Sequence, residues 1–163
     1  MKKIFILFFI LFSVDVSSQE CSEFFLIRHA EKDRTNSENN NPKLNEIGKE
    51  RSLKWSEVFK NIELDKIYST NYYRTIETVT PVSKKFNLGI TLYSPSKINY
   101  KTFISENKGS KVLVVGHSNT IPGFVNSLIN ERVYNQIDDL NNSNLYTVKI
   151  CDNVVSHNLL YIK

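Results

Sequence analysis

Two histidines and two arginines carry the chemistry readable in this chain. Arg28-His29-Ala30-Glu31 follows the apolar run Phe24-Phe25-Leu26-Ile27, and Gly116-His117-Ser118-Asn119 follows Val112-Leu113-Val114-Val115. Each run reads as a buried strand. Histidines delivered by the carboxyl ends of two such strands can converge on one crevice, the place where open α/β sheets bind ligands. Between them, Ser69-Thr70-Asn71-Tyr72-Tyr73-Arg74-Thr75 leads from a short strand into a helix that starts with hydroxyl and amide residues, which puts Arg74 in its first turns. With Arg28 it would supply two planar guanidinium groups, which grip phosphate oxygens in a fork better than lysine can. Two arginines and two histidines around one tetrahedral anion suit phosphoryl transfer.

The elements needed to hold these groups can be read along the chain. Strands are expected over 24–28, 66–68, 90–93, 111–115, 145–150 and 155–162, and helices over 46–61, 72–87, 98–106 and 121–130. This alternation predicts an α/β fold: a mostly parallel central sheet with helices on both faces and an antiparallel strand at the end, turned through Cys151-Asp152-Asn153. The polar stretch 32–43 reads as a loop bordering the site or as a plain solvated connector. Asn36 within it is not taken as a phosphate ligand.

At 163 residues the chain has room for one domain with a proper core. Residues 1–18 read as a cleaved signal peptide: Lys2 and Lys3 precede the apolar run 4–12, and Val16-Ser17-Ser18 offers small residues to a peptidase, leaving Gln19 as the mature start. The apolar run is too short to span a bilayer, which takes about 20 residues. The expected product is therefore exported, periplasmic or secreted, as a single domain over 19–163 with no stable membrane insertion. Lipidation at Cys21 ranks below simple cleavage, because Ser18-Gln19-Glu20 does not suit that processing. Removing the signal takes the net charge from +4 to about +3. That mild excess suits an anionic substrate and does not argue for nucleic acid. Cys21 and Cys151 lie in no CxxC pair, so neither zinc nor thioredoxin-like chemistry is indicated. In an exported protein they permit one disulfide, which depends on a strand order left open here.

On these residues the chain resembles the histidine phosphatase superfamily, the phosphoglycerate-mutase-like group. The Arg-His-Gly or Arg-His-Ala signature followed by Glu stands as Arg28 to Glu31. The Leu-Thr-x-x-Gly-x-x-Gln-Ala type of helix start stands as Leu44 to Ser52, with Asn45 for Thr. A hydroxyl residue four before an arginine, with Thr four after it, stands as Thr70, Arg74 and Thr78. The Gly-His turn after a hydrophobic strand is Gly116-His117. Four signatures in order are much more specific than any one of them.

The resemblance implies His29 as nucleophile. A neutral imidazole attacks phosphorus at neutral pH, and its phosphoramidate is labile enough to hydrolyse. A backbone carbonyl is expected to fix its tautomer. His117 would donate to a phosphoryl oxygen, while Arg28 and Arg74 neutralise the equatorial charge, with Ser118 also at the substrate. The plainer alternatives are a backbone-satisfied buried histidine, a surface Arg74 paired with Glu77 or Glu63, and residues 118–122 as an ordinary helix cap. The proton donor to the leaving group is unassigned. The stretch 90–99 lacks the glutamate of mutases, no Asp follows His117, and the candidates are Glu31, a remote carboxylate such as Glu106, or water. His157 has no motif around it and reads as a surface or edge residue.

The expected function is metal-independent hydrolysis of a phosphomonoester or phosphoramidate through a phosphohistidine, without cofactor or metal. The substrate is a phosphorylated small molecule such as a sugar phosphate, or a phosphoprotein. The compact frame is similar to the branch that includes phosphohistidine phosphatases, and the export signal is shared with periplasmic phosphatases of lipopolysaccharide heptose phosphate. A mutase-type phosphotransferase and a non-catalytic exported phosphate-binding module are the alternatives. A metallohydrolase built on His29, His117 and Glu31 fits less well, since two arginines would repel the cation. Oligomeric state is not readable.

Overall fold

The computed structural model describes residues 20–152 and 154–163. The expected signal peptide therefore lies outside the described residues, as does Asn153 of the last turn. In chain order the elements are β1 (Cys21–Arg28), α1 (Glu46–Val58), β2 (Lys66–Thr70), α2 (Tyr73–Phe86) and β3 (Ile90–Tyr93). They continue with α3 (Tyr100–Glu106), β4 (Lys111–Gly116), α4 (Ile121–Ile129), β5 (Asn144–Cys151) and β6 (Val154–Tyr161). The six strands form one sheet in the order β3-β2-β4-β1-β5-β6. β1, β2, β3 and β4 run parallel, and β5 and β6 are antiparallel to their neighbours. This is the α/β fold the alternation predicted, with two antiparallel pairings at its end. Among the described residues no helix is long and apolar enough to cross a membrane.

Side chains of a strand alternate between faces, and β1 and β4 use this to hold two cores. Phe24, Leu26, Val112 and Val114 pack with Phe103 of α3 and Phe124 and Val125 of α4. On the opposite face, Phe25, Ile27, Leu113 and Val115 meet Trp55 of α1 and Val79 and Val82 of α2. Strands apolar on both faces are what a sheet covered on both sides requires.

Boundaries differ where caps decide them. Helix α3 starts after Asn99, whose side chain accepts from Thr102 N at 3.1 Å. It therefore begins two residues later than the pattern suggested. Helix α1 ends at Val58 with Phe59 as its cap, and the chain then turns as the Ile62 amide donates to Phe59 O at 2.8 Å. Helices α2 and α4 end on Asn87 and Asn130, with φ of 52° and 56°. Asparagine tolerates this left-handed geometry better than most residues. The placement of β5 beside β1 makes Cys21 and Cys151 cross-strand partners, joined in a disulfide with Cα atoms 4.2 Å apart.

Candidate active site

β1 and β4 are parallel neighbours in the register Arg28 to Gly116, so the next residue on each chain is a histidine at the same sheet edge. The His29 amide donates to Gly116 O at 2.9 Å, and the two imidazole rings stand 5.4 Å apart, edge to face. β2 lies on the other side of β4, and the chain leaving it enters α2, whose second residue is Arg74. Three adjacent strand ends thus bring Arg28, His29, Arg74 and His117 around one cavity of about 520 Å³.

The His29 ring is fixed by its own neighbourhood. Nδ1 lies 2.7 Å from Ala30 O, an acceptor only, so Nδ1 carries the proton and Nε2 keeps its lone pair. Its backbone is held on both sides. Asn142 Nδ2 donates to His29 O at 2.8 Å, and the Ala30 amide donates to Thr78 Oγ1 at 2.8 Å. Thr78 in turn donates to Arg74 O at 2.6 Å, so one hydroxyl links the histidine turn to the arginine helix. Burial, with the charges of Arg28, His117 and Arg74, lowers the His29 pKa to about 3. The imidazole is neutral at pH 7.

Burial and the nearby arginines likewise lower His117 to about 4. Its Nε2 lies 2.9 Å from Thr70 Oγ1 and its Nδ1 is 3.5 Å from Arg74 Nη2. The Thr70 hydroxyl can donate or accept, so His117 can carry its proton on either nitrogen. Tyr72 walls this corner: its ring meets His117 edge to face at 4.9 Å and lies 4.4 Å from the Arg74 guanidinium.

Arg28 is almost fully buried. Its Nη1 donates to Asp138 O at 2.9 Å and Asn141 O at 3.0 Å, and its Nη2 pairs with Asp139 at 2.6 Å. The second Asp139 oxygen pairs with Arg34 at 2.7 Å. Partial burial would raise the Asp139 pKa, but the hydrogen bonds from Arg34 and Arg28 outweigh it and hold the carboxyl below its ordinary value. Arg74 pairs with no carboxylate among the described residues, and Glu77 instead accepts from the Leu44 amide at 2.8 Å. The Nε groups of Arg28 and Arg74 are buried without a protein acceptor. Donors without acceptors, two neutral imidazoles and a basic cleft are suited to an oxyanion.

The histidine phosphatase superfamily (branch 1) model matches residues 24–94, the stretch that carries Arg28, His29, Glu31 and Arg74. Over that stretch the chain is similar to the histidine phosphatase superfamily. Solved histidine phosphatase folds superpose over nearly their whole length. The structure of the protein histidine phosphatase SixA complexed with tungstate shares 16% identity at a TM-score of 0.68, covering 85% of this chain and 96% of that one. A phosphoserine phosphatase mutant from Entamoeba histolytica, in complex with phosphoserine, shares 13% at 0.64, with 83% and 94% covered. The phosphoglycerate mutase from Bacillus anthracis str. Sterne shares 14% at 0.64, with 87% and 93% covered. At such identities these likenesses speak for the fold. No curated protein sequence matches the chain.

Ser118 also lines the cavity. Glu31 does not. Arg51 Nε donates to both of its carboxylate oxygens at 2.9 Å, and the pair lies outside the cleft. The structure thus does not bring Glu31, expected as a possible proton donor, into the cleft. The neighbouring Gly48 explains the placement: a Cβ there would stand 2.1 Å from Glu31 O, so only glycine lets α1 press against this turn. Glu106 borders a separate cavity with Tyr68 and Phe103. Thr120 precedes α4 without capping it, and its hydroxyl instead accepts from the His117 amide at 3.0 Å. His157 sits on the edge strand β6 with Nδ1 2.8 Å from the Tyr134 hydroxyl. Among the described residues no three His, Cys, Asp or Glu side chains group to hold a metal.

Sequence reading missed Lys32, Tyr72 and Asp139, all lining the cavity, and Asn142 behind His29. Lys32 and Tyr72 stand two or three residues from a motif arginine or histidine, which is the signal that could have found them. Asp139 and Asn142 sit in a stretch without motif or periodicity and reach Arg28 and His29 from more than a hundred residues away.

Proposed function

We propose that the protein is a metal-independent phosphohydrolase acting through a phosphohistidine on His29. The observation that carries this reading is the His29 ring, locked by Ala30 O so that Nε2 keeps its lone pair, on a residue lining one cleft with Arg28, Arg74 and His117. Nε2 attacks phosphorus and the bond to the leaving group breaks with its electron pair. Water then attacks the phosphorus of phosphohistidine, releasing inorganic phosphate and returning the electron pair to Nε2. An oxyanion lying between Arg74 and His117 Nδ1 would accept from both, with Thr70 donating to Nε2.

Asp139 is the one carboxylate lining the cleft among the described residues, and its two arginine partners keep it ionised. It is in the wrong protonation state to donate. This favours leaving groups that depart without an enzymic acid: aryl oxides, or the imidazole of a protein phosphohistidine, which solvent can protonate before the P–N bond breaks. Sugar phosphates, whose alkoxides leave poorly, are placed second. We also propose an exported, periplasmic or secreted, location, supported by the disulfide between Cys21 and Cys151, a bond that persists in oxidising compartments.

Steady-state hydrolysis of p-nitrophenyl phosphate with a chelator present tests the reading. Turnover is expected, and His29→Ala is expected to remove it while leaving the melting temperature close to that of the parent. Near-normal rates in the variant would overturn the phosphohistidine route. Vanadate binding by folded protein without any turnover would make it a phosphate-binding module.

A further inference from the structure

The cleft holds more positive charge than a phosphoryl group requires. Lys32 leaves β1 beside the nucleophile, its backbone bridged to Leu44 and braced by the Asp33 amide donating to Lys43 O at 2.8 Å. Its half-buried side chain lines the same cavity as His29 and His117. No carboxylate among the described residues forms an ion pair with it, whereas Asp139 is shared by Arg28 and Arg34. Burial, with Arg34, Arg74 and Arg28 nearby, lowers the Lys32 pKa against the opposing charge of Asp139, which does not pair with it. An ammonium held among cations costs free energy unless an anion arrives to offset it.

Charge bookkeeping then points to the ligand. Both histidines are neutral at pH 7, so the cleft and its rim carry the cations Arg28, Lys32, Arg34 and Arg74 against the single anion Asp139. A phosphoryl dianion neutralises two of the three positive charges that remain. Lys32 shares the lining of this cavity with Tyr72 and Pro95.

We propose that Lys32 binds a second anionic group, a carboxylate or a further phosphate, carried on the leaving-group side of the substrate. This rests on the phosphohydrolase reading of the site. It narrows the substrate class to phosphoryl compounds with an acidic group within reach of the scissile bond, and it gives the Lys32 ammonium the counter-ion it lacks.

The test compares 4-carboxyphenyl phosphate with its methyl ester, which differ by one charge at the far end of the ring. The parent protein is expected to favour the carboxylate about tenfold in kcat/KM, the equivalent of one charge-assisted contact. In Lys32→Gln that ratio is expected to fall to about one. A ratio near one in the parent, or a ratio unchanged in the variant, would overturn the proposal. The same two esters are titrated by calorimetry into His29→Ala, with and without Lys32→Gln. A charge preference in binding that depends on Lys32, found alongside absent turnover, would sustain this inference while the hydrolase reading fails. Turnover without any Lys32-dependent preference would do the reverse.

Discussion

Two arginine–carboxylate pairs flank His29, and they are built to opposite ends. Arg28 is buried to 2% side-chain exposure, while its partner Asp139 is 61% exposed at the cleft. Arg51 and Glu31 are matched, at 18% and 21%, with Arg51 Nε forked onto both carboxylate oxygens. In the first pair a buried cation at the cleft meets a solvent-exposed carboxylate. In the second, two half-buried groups satisfy each other and brace the turn after β1 against α1. Within four residues the chain passes from binding an anion to holding a scaffold, because Gly48 draws α1 onto Glu31 while Arg28 ends on the cleft side of the sheet.

The contrast breaks most visibly at Arg28. Arg28→Ala is expected to lower kcat/KM for p-nitrophenyl phosphate by about 10²–10³-fold or more, as removal of a preorganised oxyanion donor does. A smaller loss than that of Glu31→Gln would reverse the assignment of the two pairs. Glu31→Gln is expected to act on stability, by about 1–3 kcal/mol, through the weakened Arg51 fork. Denaturant unfolding measures this, and in kinetics aryl and alkyl phosphates should slow alike. Selective slowing of alkyl phosphates would restore Glu31 as the acid.

Asp139→Asn sharpens the comparison from the other side. With the competing charge removed from Arg28, vanadate inhibition is expected to tighten several-fold, since like-charge competition in a partly solvated cleft is modest. Loss of activity as deep as that of Arg28→Ala would mean that Asp139 is a fixed brace like Glu31.

The remaining prediction concerns pH and reads the two histidines instead of the arginine pairs. His29 and His117 titrate at about 3 and 4 in the fold, below the unfolded value of 6.5. The unfolded chain binds more protons below pH 6.5, so stability should decline as pH falls through 6.5 and level off near the folded values. Unfolding midpoints across pH 7 to 4 check this. The free-enzyme histidines stay neutral down to about pH 4, so an acidic limb of kcat/KM near pH 6 belongs to the second ionisation of the substrate phosphate, at about 6. It should move when that pKa is changed.

The motif-bearing half of the molecule was open to sequence reading because its chemistry rides on regular elements. Apolar runs of strand length end in Arg28-His29 and Gly116-His117, and period and caps mark the helix that carries Arg74. Glu31 lies outside the cleft for a reason of direction: adjacency in sequence does not say which side of a turn a carboxylate faces. Asp139 and Asn142 stayed hidden because they come from the segment between α4 and β5, which has no periodicity and meets the site only through long-range hydrogen bonds.

By itself the sequence determined which residue types could act on a phosphoryl group, and that buried parallel strands would present them at one edge, since hydrophobic period and spacing are local properties. The tertiary structure alone decided which charges meet. β5 beside β1 joined Cys21 to Cys151, the α4–β5 segment set Asp139 on Arg28, and the close approach of α1 turned Glu31 away from the cleft. These pairings depend on strand order and on how closely backbones can approach, and neither is written in the local pattern of a single chain.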